Sequence, residues 1–341
     1  MEETLFGISI VATVRNERQT IVAFVDTLLQ QSHQPDEIII VDGDSNDGTL
    51  ELLQEYARRG EITLISQDCN IAQGRNLGIA AVKTTHIGIT DAGCTVDKDW
   101  IREIVNCFVN NPDTEVVAAN FHFETHSRFE EAVIHATFRS RRDRTDLSPY
   151  HPSSRSVAFT KDAWERAGGY PDWLYAGEDT LFNIRLRQID CKFIFCPHAF
   201  VQWRPRESWK ALAKQRINFS RGNARTGFGI YGYTKSLRVH GLVAVLLALG
   251  VWQPISLLPA LTVFAWYVRG SMWPQIAANV PGSDFTMRLR VLLVMEFVRL
   301  VEIDGFLRGR WDRHIDKKYV ENQRQYMGVS TVDELWFLRN G

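Results

Sequence analysis

Apolar positions along the first part of the chain recur with two periods that alternate. "GISIVAT" (7–13) reads as a strand, and Ile21, Val25, Leu28 and Leu29 then mark one helical face at i, i+4, i+7 and i+8. "EIIIVDG" (37–43) carries an unbroken aliphatic run, which predicts a strand buried on both faces, as in a parallel sheet. "NDGTLELLQEYARRG" (46–60) opens on turn residues, continues as a helix and stops at Gly60, a C-terminal cap. "EITLIS", "QGRNLGIAAVK", "HIGIT", "DWIREIVNCFV" and "EVVAA" repeat the theme to about residue 120. A βαβ succession of this kind predicts right-handed crossovers and a mostly parallel sheet flanked by helices.

Ligands of such sheets sit outside the carboxyl ends of the strands. Asp42 and Asp44 follow one predicted strand and Asp91 another. Turn formation and helix capping account for Asp47, Asp97 and Asp99. Asp42 and Asp91 are the acids for which we expect a functional role.

The period is lost between about 121 and 175. There "FRSRRDRTDLSPYHPSSR" (138–155) carries Arg139, Arg141, Arg142 and Arg144, either a solvated face or a substrate-covering loop. Regular patterns resume with the helices "KDAWERAGGY" and "GEDTLFNIRLRQ" and the strand "CKFIFCP". Residues 204–225 hold seven Lys or Arg against one Glu, interleaved with Trp209 and Phe219, and Val239 to Val268 contain no Asp, Glu, Lys or Arg. A bilayer span needs about 20 apolar residues. Pro254 and Pro259 divide this run into two segments of roughly a dozen residues, the length of re-entrant or interfacial helices. A single crossing would place Arg288, Arg290, Arg299, Arg308 and Arg310 on the outer side, against the tendency of basic residues to stay cytoplasmic. A shallow hairpin at 239–268 with both ends cytoplasmic avoids that conflict, and a buried helical pair in a soluble core is the competing reading.

Composition adds boundaries rather than a function. The chain has 341 residues, 45% hydrophobic and 23% charged, enough for one large domain or two smaller ones. Lys plus Arg (39) balances Asp plus Glu (40), so charge makes no general case for nucleic acid as a partner. Five scattered cysteines without a C-x-x-C point to reduced thiols in a cytosolic setting. Glu2 and Glu3 precede the first apolar run, the reverse of the order in a secretory signal peptide, so no export is expected from that end.

"VATVRNE", "VDGDSNDGT", "NIAQGRNLGIAAVKT", "ITDAGC" and "GGYPDWLYAGEDTLFNIRL", in that order, resemble the family 2 glycosyltransferases, inverting enzymes with the GT-A fold, here of a membrane-associated bacterial or archaeal type. The resemblance covers roughly residues 7–205. It implies an α/β, Rossmann-like catalytic domain at 1–225, with a donor half to about 120 and an acceptor half beyond it. A helical, membrane-associated region fills 226–341. It also implies a UDP- or GDP-sugar as donor, a glycan or lipid-linked acceptor, and work at the cytoplasmic face of the membrane.

The family match assigns residues individually. Ala12, Val14, Glu17 and Asp42 fall on the nucleotide pocket, where a carboxylate can accept from a uracil-like N–H. Asp44 shapes the adjacent turn. Arg75 and Asn76 reach toward base and phosphates, Asn76 having a helix cap as its alternative. Asp91, followed by Ala92, opens the metal motif, commonly D-x-D, but Gly93 stands at its third position. A Mg²⁺ or Mn²⁺ ion would then rest on Asp91, the donor phosphates and water, with His198 as a further ligand and Arg204 and Arg206 sharing the phosphate charge. Asp179 matches the general base that deprotonates the acceptor hydroxyl, and Glu178 orients it, although two acids at a helix N-terminus are also favoured by the helix dipole.

"KQRINF" (214–219) is similar to the Q-x-x-R-W motif of processive synthases but has Asn218 for Arg and Phe219 for Trp. With one apolar segment and no channel, single-sugar transfer is expected over processive synthesis. Gln215 and Arg216 then hold the diphosphate, the acceptor's phosphate or the membrane surface. A sugar-phosphate nucleotidylyltransferase lacks its Gly-rich loop here, and a dehydrogenase its G-x-G-x-x-G. An inactive glycan-binding relic is the remaining alternative, argued by the reduced metal motif.

Overall fold

The computed structural model describes residues 6–138, 152–280, 282 and 284–330. The arginine-rich stretch around 139–144 lies outside the described residues. The chain divides into two compact units, Met1–Glu124 with Thr145–Arg204, and Thr125–Arg144 with Pro205–Gly341.

The first unit is built on one sheet. Its strands are β1 (Ile8–Val14), β2 (Glu37–Asp42), β3 (Thr63–Ser66), β4 (His86–Asp91), β5 (Cys94–Val96), β6 (Val116–Phe123), β7 (Ser156–Thr160) and β8 (Phe193–Trp203), ordered β3-β2-β1-β4-β7-β6-β8-β5. The run from β3 to β4 is parallel, as the pattern predicts. The other half is mixed: β7 lies antiparallel to both β4 and β6, β8 parallel to β6, and β5 antiparallel to β8.

The helices are α1 (Ile21–Leu29), α2 (Thr49–Arg58), α3 (Ile71–Ala81), α4 (Trp100–Asn110), α5 (Arg128–Thr137), α6 (Lys161–Ala167), α7 (Glu178–Gln188), α8 (Trp209–Thr226), α9 (Ile230–Leu249), α10 (Leu257–Tyr267), α11 (Trp273–Asn279), α12 (Phe285–Ile315) and α13 (Lys318–Met327). Of these, α5 and α8 to α13 belong to the second unit.

Packing explains why α3 is nearly featureless in its own sequence. A Cβ on Gly78 would stand 2.5 Å from Val11 Cγ1, and one on Gly74 would stand 2.9 Å from Thr13 Cγ2, so the two glycines let α3 lie flat on β1. The helix is held at its start by a capping box, Asn70 accepting from Gln73 N while the Gln73 side chain accepts from Asn70 N. On the other side of the sheet, the fully buried Trp100 donates from Nε1 to Ser156 Oγ at 2.9 Å and ties α4 to β7.

In the second unit, α9 and α10 form an antiparallel hairpin. Ser236 Oγ meets Tyr267 Oη at 3.0 Å, and Ser256 Oγ donates to Leu246 O at 3.0 Å near the turn. The two prolines do not divide the apolar run equally. Pro254 opens a single 3-10 turn and Pro259 falls in the first turn of α10, where a missing N–H has no intrahelical partner to lose. The first arm is therefore a full 20 residues, begun well before the uncharged run.

Candidate active site

Strand register assembles the site. Val14 pairs with Asp42, and Thr13 with Asp91, so the two acids end the strands on either side of β1. Neighbouring strands are about 4.8 Å apart, which separates them by roughly 10 Å across β1. That is the scale of a nucleoside diphosphate laid across strand ends.

The Asp42 end is a tied cradle. Asn16 and Asp44 hold left-handed backbone, φ 58° and 63°, in the loops after β1 and β2, a conformation that Asn and Asp tolerate best among residues with a Cβ. Asn16 Oδ1 accepts from Asn46 N at 2.9 Å, Asn16 N donates to Ser45 Oγ at 2.9 Å, and Arg18 N donates to Asp47 Oδ2 at 3.2 Å. Asp44 and Asp47 are turn-builders, as expected. Asp42 is fully buried; its Oδ2 accepts from Ser45 N at 3.0 Å, while Oδ1 has no hydrogen-bond partner among the described residues. A buried acceptor left open is costly unless something donates to it. Glu17 is engaged nearby, accepting from Thr20 Oγ1 at 2.7 Å.

Arg75 is the centre of the other end. It rises from α3, is 2% exposed, and bonds two carboxylates far apart in sequence: Nη2 to Asp91 Oδ1 at 2.9 Å and Nη1 to Glu178 Oε1 at 2.8 Å. The ring of buried Tyr170 lies under the guanidinium, 5.2 Å to its centroid. One cation thus locks the end of β4 to the N-terminus of α7. Burial, then the neighbouring Asp179, push the Glu178 carboxyl up to about 7, with Arg75 opposing them. The sign for stability follows. A carboxyl raised from 4.5 in the unfolded chain to about 7 binds more protons folded than unfolded, so its contribution is complete below about 4.5 and is lost as pH rises through about 7. Asp179 is half-buried beside it, with Oδ1 accepting from Thr180 N at 2.7 Å.

Several expectations are corrected by side-chain position. Ala12 is fully buried within β1, paired to Ile40 and Thr90, so the chain reaches the cradle only from Val14 onward. Arg75 holds protein carboxylates rather than reaching out to a ligand's phosphates. Asn76 is not a cap: its amide donates to Tyr170 O at 2.8 Å and accepts from Tyr170 N at 2.8 Å and from Trp164 Nε1 at 3.1 Å, fixing the turn between α6 and α7. Ala92 is buried in the turn joining β4 to β5. His198 is exposed within β8. Cys94, just past Asp91, pairs with Trp203, and Val96 with Val201, so His198 lies beyond Val201 in the direction leading away from Asp91, within a register shift of β8 between Cys196 and Phe200. His198 therefore does not join Asp91 around one ion. Arg206, Gln215 and Arg216 lie in the second unit, where Arg216 is ion-paired to Glu302 and so is not an open phosphate ligand there.

Arg155 is a site residue that the sequence reading missed. Ser156 pairs with Thr90 across β7 and β4, so Arg155 stands one position beyond, at the Asp91 end. Its guanidinium lies over the Trp203 ring at 4.4 Å and its charge acts on Cys94. Nothing local distinguishes this arginine from its neighbours; only the antiparallel register selects it.

The donor set for a divalent ion is small. No group of three His, Cys, Asp or Glu that could hold a metal is found among the described residues. The Asp91 side chain is 27% exposed with one oxygen on Arg75. A Cβ on Gly93 would meet nothing within 4 Å, so a second acid is absent from the motif although there is room for one. The residues fit an ion whose remaining ligands come from diphosphate and water, not an all-protein cage. A separate cleft of about 600 Å³, lined by Gln73, Asn76, Trp164 and Asp172 among others, contains none of Asp42, Asp91, Glu178 and Asp179.

Comparison with known proteins fits this geometry. Residues 9–164 match the family model described as Glycosyl transferase family 2. Glycosyltransferase AglE of Haloferax volcanii is 21% identical over 228 residues, 65% of this chain and 74% of that protein. The O-antigen chain rhamnosyltransferase RfbN of Salmonella typhimurium is 22% identical over 271 residues, 74% of this chain and 85% of that one. Among solved structures, the mannosyltransferase PcManGT of Pyrobaculum calidifontis, in complex with GDP-Man and Mn²⁺, superposes with a TM-score of 0.56 at 16% identity, covering 90% of this chain and 87% of that one. The expected GT-A sheet with a C-terminal helical region is the fold observed.

Proposed function

We propose that this chain, a family 2 glycosyltransferase, moves a single sugar from a nucleoside-diphosphate sugar to a glycan or lipid-linked acceptor, with inversion at the anomeric carbon. The observation that carries this reading is the Asp91–Arg75–Glu178 chain of ion pairs, which fixes a carboxylate at the donor strand ends relative to the Glu178–Asp179 pair. The unpartnered Asp42 oxygen supports a base N–H as its ligand, with the diphosphate lying toward Asp91. Arg155, at the Asp91 end of the sheet, is the cation placed to take leaving-group charge. A divalent ion bound to Asp91 would add Lewis-acid neutralisation of that diphosphate.

Asp179 in this reading takes the proton from the acceptor hydroxyl as the oxygen attacks, and Glu178 holds the helix start through Arg75. The relatives named above include an O-antigen chain rhamnosyltransferase, which favours a glycan acceptor.

Membrane association is part of the proposal. The turn of the α9–α10 hairpin is open and apolar, with Val251 77%, Trp252 79% and Ile255 74% exposed, and the helical run Pro254–Asn279 is long and apolar enough to cross a bilayer by length and composition. A hairpin turn of this composition is suited to enter a lipid surface.

The test is a thermal-shift screen of UDP- and GDP-sugars. One donor is expected to raise the unfolding temperature; a ligand at a hundred times its Kd stabilises by about 2.7 kcal/mol. Asp42→Ala is expected to abolish that shift. Stabilisation by no nucleotide sugar, or an undiminished shift in Asp42→Ala, would remove the donor-site assignment.

A further inference from the structure

The 31-residue helix α12 has two apolar faces, and only one of them is packed against the described residues. Wound at about 100° per residue, Met287, Val291, Val294, Val298 and Phe306 fall on one side, where Gly305 and Gly309 approach α8 so closely that a Cβ would stand 2.1 Å from Ser220 Oγ and 2.3 Å from Arg221 O. The roughly opposite arc, about 120° wide, carries Leu289, Leu293, Leu300, Leu307, Trp311 and Ile315, each about half or more exposed, with Phe285 ahead of them. A soluble helix has one apolar stripe, and this one has a second that runs its whole length.

The edges of that second stripe are basic. By the same helical winding, Arg290 and Arg308 lie along one edge and Arg288, Arg299 and Arg310 along the other. Of the two acids on the arc, Glu296 is hydrogen-bonded to His240 at 2.9 Å and Asp304 is ion-paired with Arg308 at 2.9 Å, both within the unit. The helix is about 46 Å long and holds six arginines and four acids, too long and too charged to span a hydrocarbon core of about 30 Å. An apolar face bordered on both sides by arginine, whose stems can lie along lipid while their heads stay at phosphate level, fits a helix lying in the plane of an anionic bilayer surface. The stripe also continues into the hairpin: α9 runs alongside, His240 bonded to Glu296 and Tyr233 stacked on Phe306 at 5.2 Å, and exposes Leu242, Val245 and Leu249.

We propose that the outer face of α12 is a lipid-docking surface that lies flat on an anionic membrane. It rests on the membrane reading above and extends it from a hairpin turn to the full length of a helix. The consequence is that the second unit binds along a line, with the hairpin turn as one contact and α12 as another.

The test uses the full-length protein and flotation with vesicles of phosphatidylcholine alone or mixed with phosphatidylglycerol. The triple variant Leu293→Glu, Leu300→Glu, Leu307→Glu changes only exposed positions and is expected to melt as the parent does by circular dichroism, yet to lose vesicle partition by at least about tenfold. Arg290→Gln with Arg310→Gln is expected to lose the preference for phosphatidylglycerol while retaining binding to phosphatidylcholine. Trp252→Glu with Ile255→Glu probes the hairpin turn separately. If that pair releases the protein while the triple variant binds as the parent does, the α12 surface is refuted and the membrane reading stands. If neither set changes partition, both readings fall. If light scattering finds the lipid-free parent self-associated and the triple variant monomeric, a second copy covers the stripe and the lipid proposal is overturned.

Discussion

Asp179→Asn is expected to lower the turnover of sugar transfer by about 10²–10⁴-fold, the range over which a positioned general base contributes. Donor affinity by calorimetry should stay within about twofold of the parent. The split follows from where Asp179 sits. It begins α7, half-buried, with one oxygen on the backbone N–H of Thr180, and it makes no bond to Arg75 or Asp91. Asparagine keeps the shape and an oxygen for the Thr180 N–H but cannot take a proton. Near-parental turnover in this variant would remove Asp179 from the base role; a large loss of donor affinity with unchanged turnover would make it a donor-site residue instead.

Arg75→Ala is expected to be the most destabilising single change in the site, by about 3–5 kcal/mol, the usual result of removing one partner from a buried ion pair. It would strand Glu178, whose side chain is 8% exposed, and release Asp91 from its fixed position. If the bridge is the cause, Glu178→Gln should rescue part of the loss, so that the double variant is less destabilised than the sum of the singles. The same pair carries a pH signature. Relative to Glu178→Gln, the parent should lose unfolding free energy as pH rises from about 4.5 through about 7, because burial holds the folded carboxyl up to about 7. Strict additivity together with parallel pH profiles in denaturant titrations would show that the bridge does not link the two ends of the site.

The donor half of the fold was legible in sequence because most elements there, α3 excepted, declare their own period. The aliphatic run of β2 needs no partner to be recognised, and the placement of Asp42 and Asp91 at strand ends is readable from the residues that follow each apolar run. What was illegible depended on contacts between distant segments. Arg75 and Glu178 are 103 residues apart, and nothing in "QGRNLG" says that the arginine turns inward to two acids. Asn76 reads as a helix cap until the Tyr170 turn, 94 residues on, is seen to occupy its amide. His198 was misplaced because a strand of 11 residues has two ends and only the β5 register says which one meets Asp91. The second stripe of α12 was hidden by the arginines along its edges, which lower the apparent apolarity of the segment while marking the border of its face.

The stereochemistry of the first product tests the central claim most directly. Proton NMR of the sugar released or transferred in the first turnovers, from an α-linked nucleotide donor, is expected to show the β anomer before any mutarotation, because one base-assisted displacement inverts the carbon. An α anomer formed first would contradict a single displacement assisted by Asp179.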